Sequence, residues 1–568
     1  MEKRALIALA LSFVVFLVFM YIGQGSRQVT PPPAPTTAPQ PTAEKAAPAV
    51  PPPPAPPVAA PPAPRAAAVG LSRPAREVVV ETPLYKAVFT ELGGRLKSYQ
   101  LKKYRESLPF TRLWGFQLGP VGLELERYHN PQEVGAQPKN LVRVIQGEAL
   151  PLSTTWQSPD LAVPATLLYE ASQAELTVKP GETATLQFTG VSSGGLVLTK
   201  TFKFQADSYY TDLHVQVANR TSRPLEGSLD LAIDADYTGE DAGRYGFLGF
   251  KGSVNNKLED VKFGSLKEPK VFTGKVDWAG LDESYFLSAM VPLAAPKATV
   301  SVTEVKSGPM TVTLRNPETL APGQESKLAF ALYFGPMDLT TLGAQNLGLD
   351  RAVNFGWFDF ISKPSLTFLK WLEGYVGNYG WAIIILTILI RLVFFYPNHK
   401  SYKSMKDMQK LQPKVAKIRE KYKDDKETMN KELMTLYRTF KVNPMAGCLP
   451  MVLQLPVFIA LYNVLGYAIE LRHASFIPTL PFTNIVWLAD LSAKDPLLIT
   501  PVVMGATMFI QQKMTPSPGD PTQAKMMMFL PLIFTFLFLN FASGLVLYWL
   551  VNNILSIAQQ YYTNKYLT

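Results

Sequence analysis

The stretch from Trp381 to Pro397, WAIIILTILIRLVFFYP, reads as an apolar helix that carries one permanent charge, Arg391. Arg391 stands ten residues after Trp381, about 15 Å along a helix at 1.5 Å per residue. A charge at membrane depth costs roughly 3 kcal/mol or more, so it faces water or a partner. Thr387, one turn earlier, shares its face and adds a hydroxyl. Taken alone, the helix also fits an arginine that snorkels to the cytoplasmic surface.

The other 551 residues bear on that choice. Long apolar runs, a proline-dense tract and a charged segment are kept apart in the 568-residue chain, which marks a membrane protein with a soluble module. The net charge of +10 is concentrated between Lys400 and Lys441, where thirteen Lys/Arg face six Asp/Glu. Basic loops beside apolar helices face the cytoplasm. The lone cysteine, Cys448, excludes an intramolecular disulfide and argues against a cysteine-based metal site.

Residues 1–22 read as an uncleaved signal-anchor helix, a short basic start followed by an apolar run. Residues 27–76 read as a Pro/Ala-rich spacer outside the cytoplasm, with sixteen prolines in the thirty-four positions from Pro31 to Pro64. Such a tract extends as a semi-rigid tether. From residue 77 to 336 the pattern becomes short alternating runs, as in Leu196–Phe204, Asp212–Val217, Ala298–Val305, Met310–Leu314 and Lys327–Tyr333. Gly93-Gly94, Gly194-Gly195 and Pro322-Gly323 mark turns. One large all-β sandwich follows. Its histidines, His129 and His214, have no metal-ligand spacing. Residues 337–378 lead back to the membrane, with Phe355–Leu372 as an amphipathic helix in the interface plane, kinked or restarted at Pro364.

Lys400–Lys441 reads as a cytoplasmic helical hairpin. Met405, Met408, Leu411, Val415, Ile418 and Tyr422 make one stripe; Met429, Leu433, Leu436 and Phe440 make the other. Asp424 and Glu427 resemble a capping box for the second helix. Packed seam or a surface for ribosomal RNA, anionic lipid or a nascent chain are all open to such a hairpin. Apolar segments at 381–396, 449–469, 497–514, 526–541 and 545–562 give five core spans after the signal anchor, with both termini cytoplasmic and residues 77–336 outside.

Polar residues dot these spans: Thr387, Arg391, Gln454, Asn463, Thr507, Gln511, Gln512, Asn552 and Asn553. Together with an arginine lacking an acidic partner in the spans, they suggest a wetted cavity. No Asp or Glu falls within the spans until Glu470, at the outer boundary, which argues against a proton- or sodium-coupled transporter. There is no G-x-x-x-x-G-K-[ST] loop and no H-E-x-x-H motif, so neither ATP hydrolysis nor zinc hydrolysis is expected and no cofactor is implied.

Asn443-Pro-Met-Ala-Gly-Cys-Leu-Pro450, with Gln454, Pro456, Phe458 and Leu461-Tyr462 beyond it, resembles the YidC family of membrane protein insertases. So do Gly377–Arg391, Gly505–Met514 and Ser543–Trp549. The resemblance spans the chain, in the form with a large periplasmic domain. It implies a multi-domain protein: a polytopic α-helical core of five helices, an amino-terminal signal anchor, and an external β-supersandwich similar to galactose mutarotase. That last likeness implies no sugar chemistry. It further implies a hydrophilic groove, open to cytoplasm and lipid, that receives polar segments of nascent inner-membrane proteins. Arg391 and Thr387 take the family's groove positions, and Tyr548 and Trp549 its substrate-contacting aromatic pair, where many members carry Tyr-Tyr. Gln454, Thr507, Gln511 and Asn553 complete the expected groove. The implied partners are nascent chains, the Sec translocon with its accessory subunits, membrane lipids and the ribosome, the last held weakly because the tail after Tyr562 is short and poor in basic residues; no DNA is involved. The competing class is a solute channel or transporter, distinguished by conductance or uptake in liposomes. A carbohydrate-processing external domain is a weaker third reading, tested by sugar turnover.

Overall fold

The computed structural model describes residues 74–566 except 107–109, 119–120, 129–136, 144–148, 239–245, 295–297, 307, 441, 443–448 and 515–520. The expected signal anchor, the spacer through residue 73, His129, Cys448 and the Asn443–Cys448 part of the motif lie outside the described residues.

Alternating sequence becomes strand from Glu77 to Pro336. In Tyr210–Asn219, Leu213, Val215 and Val217 are buried while His214 between them is exposed. Nine strands form one sheet, with Phe286–Pro292, Glu325–Pro336, Tyr210–Asn219 and Leu196–Gln205 adjacent at its centre. A six-stranded sheet runs through Thr299–Glu304, Met310–Leu320 and Leu225–Ala235, and a five-stranded sheet is built mostly from Glu77–Arg105. One apolar core joins all three. Phe89 of the five-stranded sheet meets Phe188 and Phe202 of the nine-stranded one at 5.9 and 5.0 Å between ring centres. Met310–Leu320 is longer than the expected Met310–Leu314, because its polar end still pairs with Leu225–Ala235; buried Asn316 donates there to Leu229 O at 3.1 Å.

The Gly93-Gly94 turn takes φ of 84° and 54°, open to glycine at little cost. Lys200, wholly buried, pins it by donating to Gly93 O at 2.8 Å and Gly94 O at 3.2 Å, and it also donates to Leu152 O at 2.8 Å. Burial pushes the Lys200 ammonium well below its ordinary pKa.

Nine α-helices are described: α1 Leu339–Gly343, α2 Asp359–Val376, α3 Tyr379–Val393, α4 Phe395–Lys421, α5 Lys426–Thr439, α6 Leu449–Tyr467, α7 Ile499–Met514, α8 Pro521–Phe538 and α9 Ser543–Tyr566. Helix α2 is amphipathic: Ser362, Leu366, Leu369 and Leu372 are buried, while Phe360, Trp371 and Tyr375 are exposed. Pro364 sits within this helix rather than starting it. Among the described residues no single helix is long and apolar enough to cross a membrane, but α3 and α4, bent by 63°, pass together.

Two expected boundaries move. The apolar helix stops at Val393, not at Pro397, and α4 begins at once and runs through the expected hairpin start. Pro397 falls in the first turn of α4, where its missing N–H costs nothing. Helix α5 is capped by Asp425 rather than Asp424, since only Asp425 reaches the free N–H groups of Glu427 and Thr428, both at 3.1 Å.

Candidate functional site: a polar cluster on the last helix

The polar side chains of the helices converge on α9. Asn552, Asn553, Ser556, Gln559, Gln560 and Thr563 recur along it at helical spacing. Arg391 of α3 donates through Nη2 to the Asn552 carbonyl at 3.2 Å and to the Ser556 hydroxyl. The Tyr402 side chain of α4 joins Arg391 and Ser556. Gln454 of α6 donates to Asn552 Oδ1 at 3.2 Å, and Asn553 donates to Thr507 Oγ1 of α7 at 3.4 Å. Arg391 Nε is buried with no hydrogen-bond partner among the described residues, and no acidic side chain pairs with Arg391 among them.

The remaining expected site residues separate. Thr387 is buried and donates back to Ile383 O of its own helix at 2.7 Å, so it lies near Arg391 without bonding to it. Gln511 is half-buried on α7. Tyr548 and Trp549, neighbours on α9, diverge by one helical step. Tyr548 is buried on the Gln454 side. Trp549 packs among Phe458, Phe534 and Phe538, with ring centres 4.6, 6.2 and 5.0 Å away. Asn463, one of the polar residues of the spans, instead donates to Phe355 O at 2.7 Å and holds α6 beside the start of α2. Ser556 and Tyr402 were not singled out from sequence. Ser556 was detectable as the residue one turn beyond Asn552; Tyr402 carried no signal, because the bend between α3 and α4 brings it back.

Close helix contacts set this geometry. A Cβ on Gly505 of α7 would stand 1.9 Å from Thr535 Oγ1 of α8, so only glycine permits the crossing. A Cβ on Gly380 would stand 2.2 Å from the Phe476 ring.

Phe476 belongs to the segment between α6 and α7, which packs across the starts of α3, α7 and α9. Asn378 caps α3 by accepting from Trp381 N and donates to Phe476 O at 3.0 Å. Gly544 N and Ser543 Oγ, at the start of α9, donate to Leu491 O and Asp490 O at 2.9 and 3.0 Å. Asp495, buried, accepts from Leu497 N, Thr500 N, Thr500 Oγ1 and Trp487 Nε1 at 2.7–3.0 Å, fixing the start of α7. The same segment docks on the β domain. Arg472 donates to Arg105 O at 3.0 Å and lies 5.4 Å from the Tyr285 ring centre. Lys370 of α2 pairs with Asp338 and, at 3.2 Å, with Glu470. Burial pushes the Glu470 carboxyl up to about 7 against the pull of Lys370.

Over its whole length the chain is 41% identical to a membrane protein insertase YidC from Syntrophus aciditrophicus, with 100% of both chains covered. The chain belongs to the YidC family. A YidC from Nitratidesulfovibrio vulgaris is 42% identical, with 99% of each chain covered. The family descriptions divide the molecule: residues 121–368 match the YidC periplasmic domain and 371–568 the 60Kd inner membrane protein. The sheet-rich part is therefore the periplasmic domain of an inner-membrane insertase. A solved active YidC insertase with its first transmembrane domain resolved is similar over 86% of this chain and 93% of its own, with 19% identity and a TM-score of 0.35. A galactose mutarotase-like protein from Lactobacillus casei is similar over 45% of this chain, with 11% identity and a TM-score of 0.27. The sandwich assignment rests on the strand order.

Proposed function

We propose that this YidC protein inserts and helps fold nascent inner-membrane proteins by receiving a polar substrate segment at the cluster around Arg391. The observation that carries this is the guanidinium itself: held by Asn552 and Ser556, with a buried Nε donor still unused and no acidic partner among the described residues. A half-buried positive charge so placed attracts an acidic residue of the substrate. The polar segment lies beside Gln454, Thr507, Gln511, Asn553 and Tyr548. The substrate's hydrophobic segment leaves along Trp549 into lipid. Thr387 supports the Arg391 face. Burial of the substrate's own helix in lipid drives the step, so no bond changes and no cofactor or catalytic residue is needed.

In this reading five helices, α3 and α6–α9, form the core, and residues 1–22 anchor the chain through the spacer at 27–76. Both termini lie in the cytoplasm. The domains follow as 77–336, 337–378 and 379–562, with the cytoplasmic hairpin at 400–441. The protein acts alone or with the Sec translocon, contacts lipid, and touches the ribosome weakly. Closure of the outer end by the segment between α6 and α7 supports a half-groove over a solute channel. In proteoliposomes, Arg391→Lys keeps most insertion activity and Arg391→Ala loses severalfold, most for substrates with acidic translocated segments. Equal activity of both variants on every such substrate would contradict the assignment.

A further inference from the structure

Between α6 and α7 the chain forms a small hairpin, Ile477–Thr479 paired with Val486–Leu488, whose second strand meets Val121–Tyr128 of the β domain at Val486–Tyr128 in a four-stranded sheet. From Ala474 to Ala489 it contains no charged residue, whereas Arg472, His473 and Asp490 flank it. Those flanking groups are committed elsewhere. Arg472 and His473 bond to Arg105 O of the β domain, and Asp490 pairs with His473.

The tip is a closed turn. Leu480 N donates to Ile485 O at 2.9 Å, Thr483 N to Leu480 O at 3.0 Å, and the Thr483 hydroxyl to the same carbonyl at 2.9 Å. This turn holds Phe482 at φ 64°, a left-handed conformation that a bulky side chain rarely adopts. Its ring is completely exposed, at 107% of the reference area. Bonded backbone, strain and an outward phenyl group make an apolar point on a stiff base.

The base is set at the outer ends of the helices. Phe476 packs edge-on against Trp381 in the first turn of α3, with ring centres 5.6 Å apart, and Trp381 is itself half-exposed. Trp487 is tied to Asp495 at the start of α7. Helix α2, which ends at the residue before Gly377, exposes Phe368, Trp371 and Tyr375. Exposed aromatic rings thus stand on the interfacial helix, at the first turn of α3 and at the hairpin tip. Aromatic rings at a bilayer surface favour the headgroup level.

We propose that the Phe482 hairpin is a lipid-binding wedge that dips into the periplasmic leaflet and fixes the outer lid of the groove to the bilayer. With no Lys or Arg in the hairpin, its binding is apolar and independent of anionic headgroups. The proposal rests on α3 and α7 spanning the membrane, as assigned above.

The test uses the full chain with Cys448 replaced by Ser, reconstituted in proteoliposomes with known orientation. Single cysteines replace Phe482, Val502 on the exposed face of α7, or Lys327 on the β domain, and each carries an environment-sensitive NBD label. The Val502 probe reports whether α7 lies in lipid at all, which separates failure of the wedge from failure of the membrane assignment. The expected result is blue-shifted emission at 482, quenched at least twofold by lipids spin-labelled near the headgroup. That quenching is unchanged between purely zwitterionic vesicles and vesicles with one-third anionic lipid. Water-like emission at 482, matching Lys327, while Val502 is quenched would overturn the proposal. Protection at 482 only after adding a second protein would also overturn it, in favour of a protein partner.

Discussion

The periplasmic domain and the helical core differ in what they expose: the domain encloses most of its large apolar side chains, and the core presents many of them outward. In the domain, Trp156, Trp278, Phe188, Phe202 and Phe330 are wholly buried, and the Lys200 amine is enclosed with them. In the core, Leu392, Val393, Val502, Phe529 and Leu532 are exposed, while Thr387, Asn553, Ser556 and Gln560 are buried. Water around the domain forces apolar groups inward. Hydrocarbon around the core removes that drive, so packing and interhelical hydrogen bonds hold the helices together and polar groups gather inside. A permanent charge is tolerable in such an interior when its neighbours are polar and water or substrate reaches it.

Substitutions that strike one region and spare the other sharpen this contrast. The largest effect is expected from Gly505→Leu. It drives a side chain into Thr535 and separates α7 from α8. Insertion activity should fall more than tenfold while the periplasmic domain keeps its strand signal by circular dichroism; intact insertion would show that the α7–α8 contact is not needed.

Lys200→Met reverses the target. It relieves a buried amine but leaves the carbonyls of Gly93, Gly94 and Leu152 without this donor. The net loss is about 2 kcal/mol of domain stability, measured by denaturant unfolding, with insertion activity retained at permissive temperature. A variant as stable as the parent would make the lysine dispensable to the fold.

The smallest effect lies at the joint of the two regions. The Glu470 carboxyl, raised to about 7 by burial, binds its proton more tightly in the folded protein than in the unfolded chain. Its contribution to stability is complete below the ordinary carboxylate range and is lost as pH rises through about 7. The melting temperature of the parent relative to Glu470→Gln should therefore fall by a few degrees between pH 5 and pH 8. A constant difference would show that Glu470 does not titrate there. Lys370 and Asp338 face the same carboxylate and remain in both proteins.

Much of the domain was legible because alternation in sequence is alternation in burial, as in Tyr210–Asn219. Arg391 stood out for the same reason, as one charge in an apolar run. Its fixation by Ser556 did not, since a serine in a helix is usual and the partner lies 165 residues away. The lid between α6 and α7 was equally hidden. Arg472 and Arg105 meet across 367 positions, and no periodicity records such a contact. The divergence of Tyr548 from Trp549 follows from helix geometry alone, once the neighbours on either side are known.

Whether the polar cluster is a groove wetted from one side is tested most directly by thiol accessibility. With Cys448 replaced by Ser, single cysteines at Gln454, Gln511 and Asn552, all half-buried, are exposed in intact vesicles to a membrane-impermeant maleimide. Lys403→Cys and Lys327→Cys serve as cytoplasmic and periplasmic controls. The thiolate reacts, and only a hydrated site supports it. A groove open to the cytoplasm and closed by the outer lid predicts labelling of all three positions from the cytoplasmic side and none from the periplasmic side. Failure to label any of the three from the cytoplasm would contradict the groove and leave Arg391 a snorkelling charge; labelling from both sides would make the protein a channel.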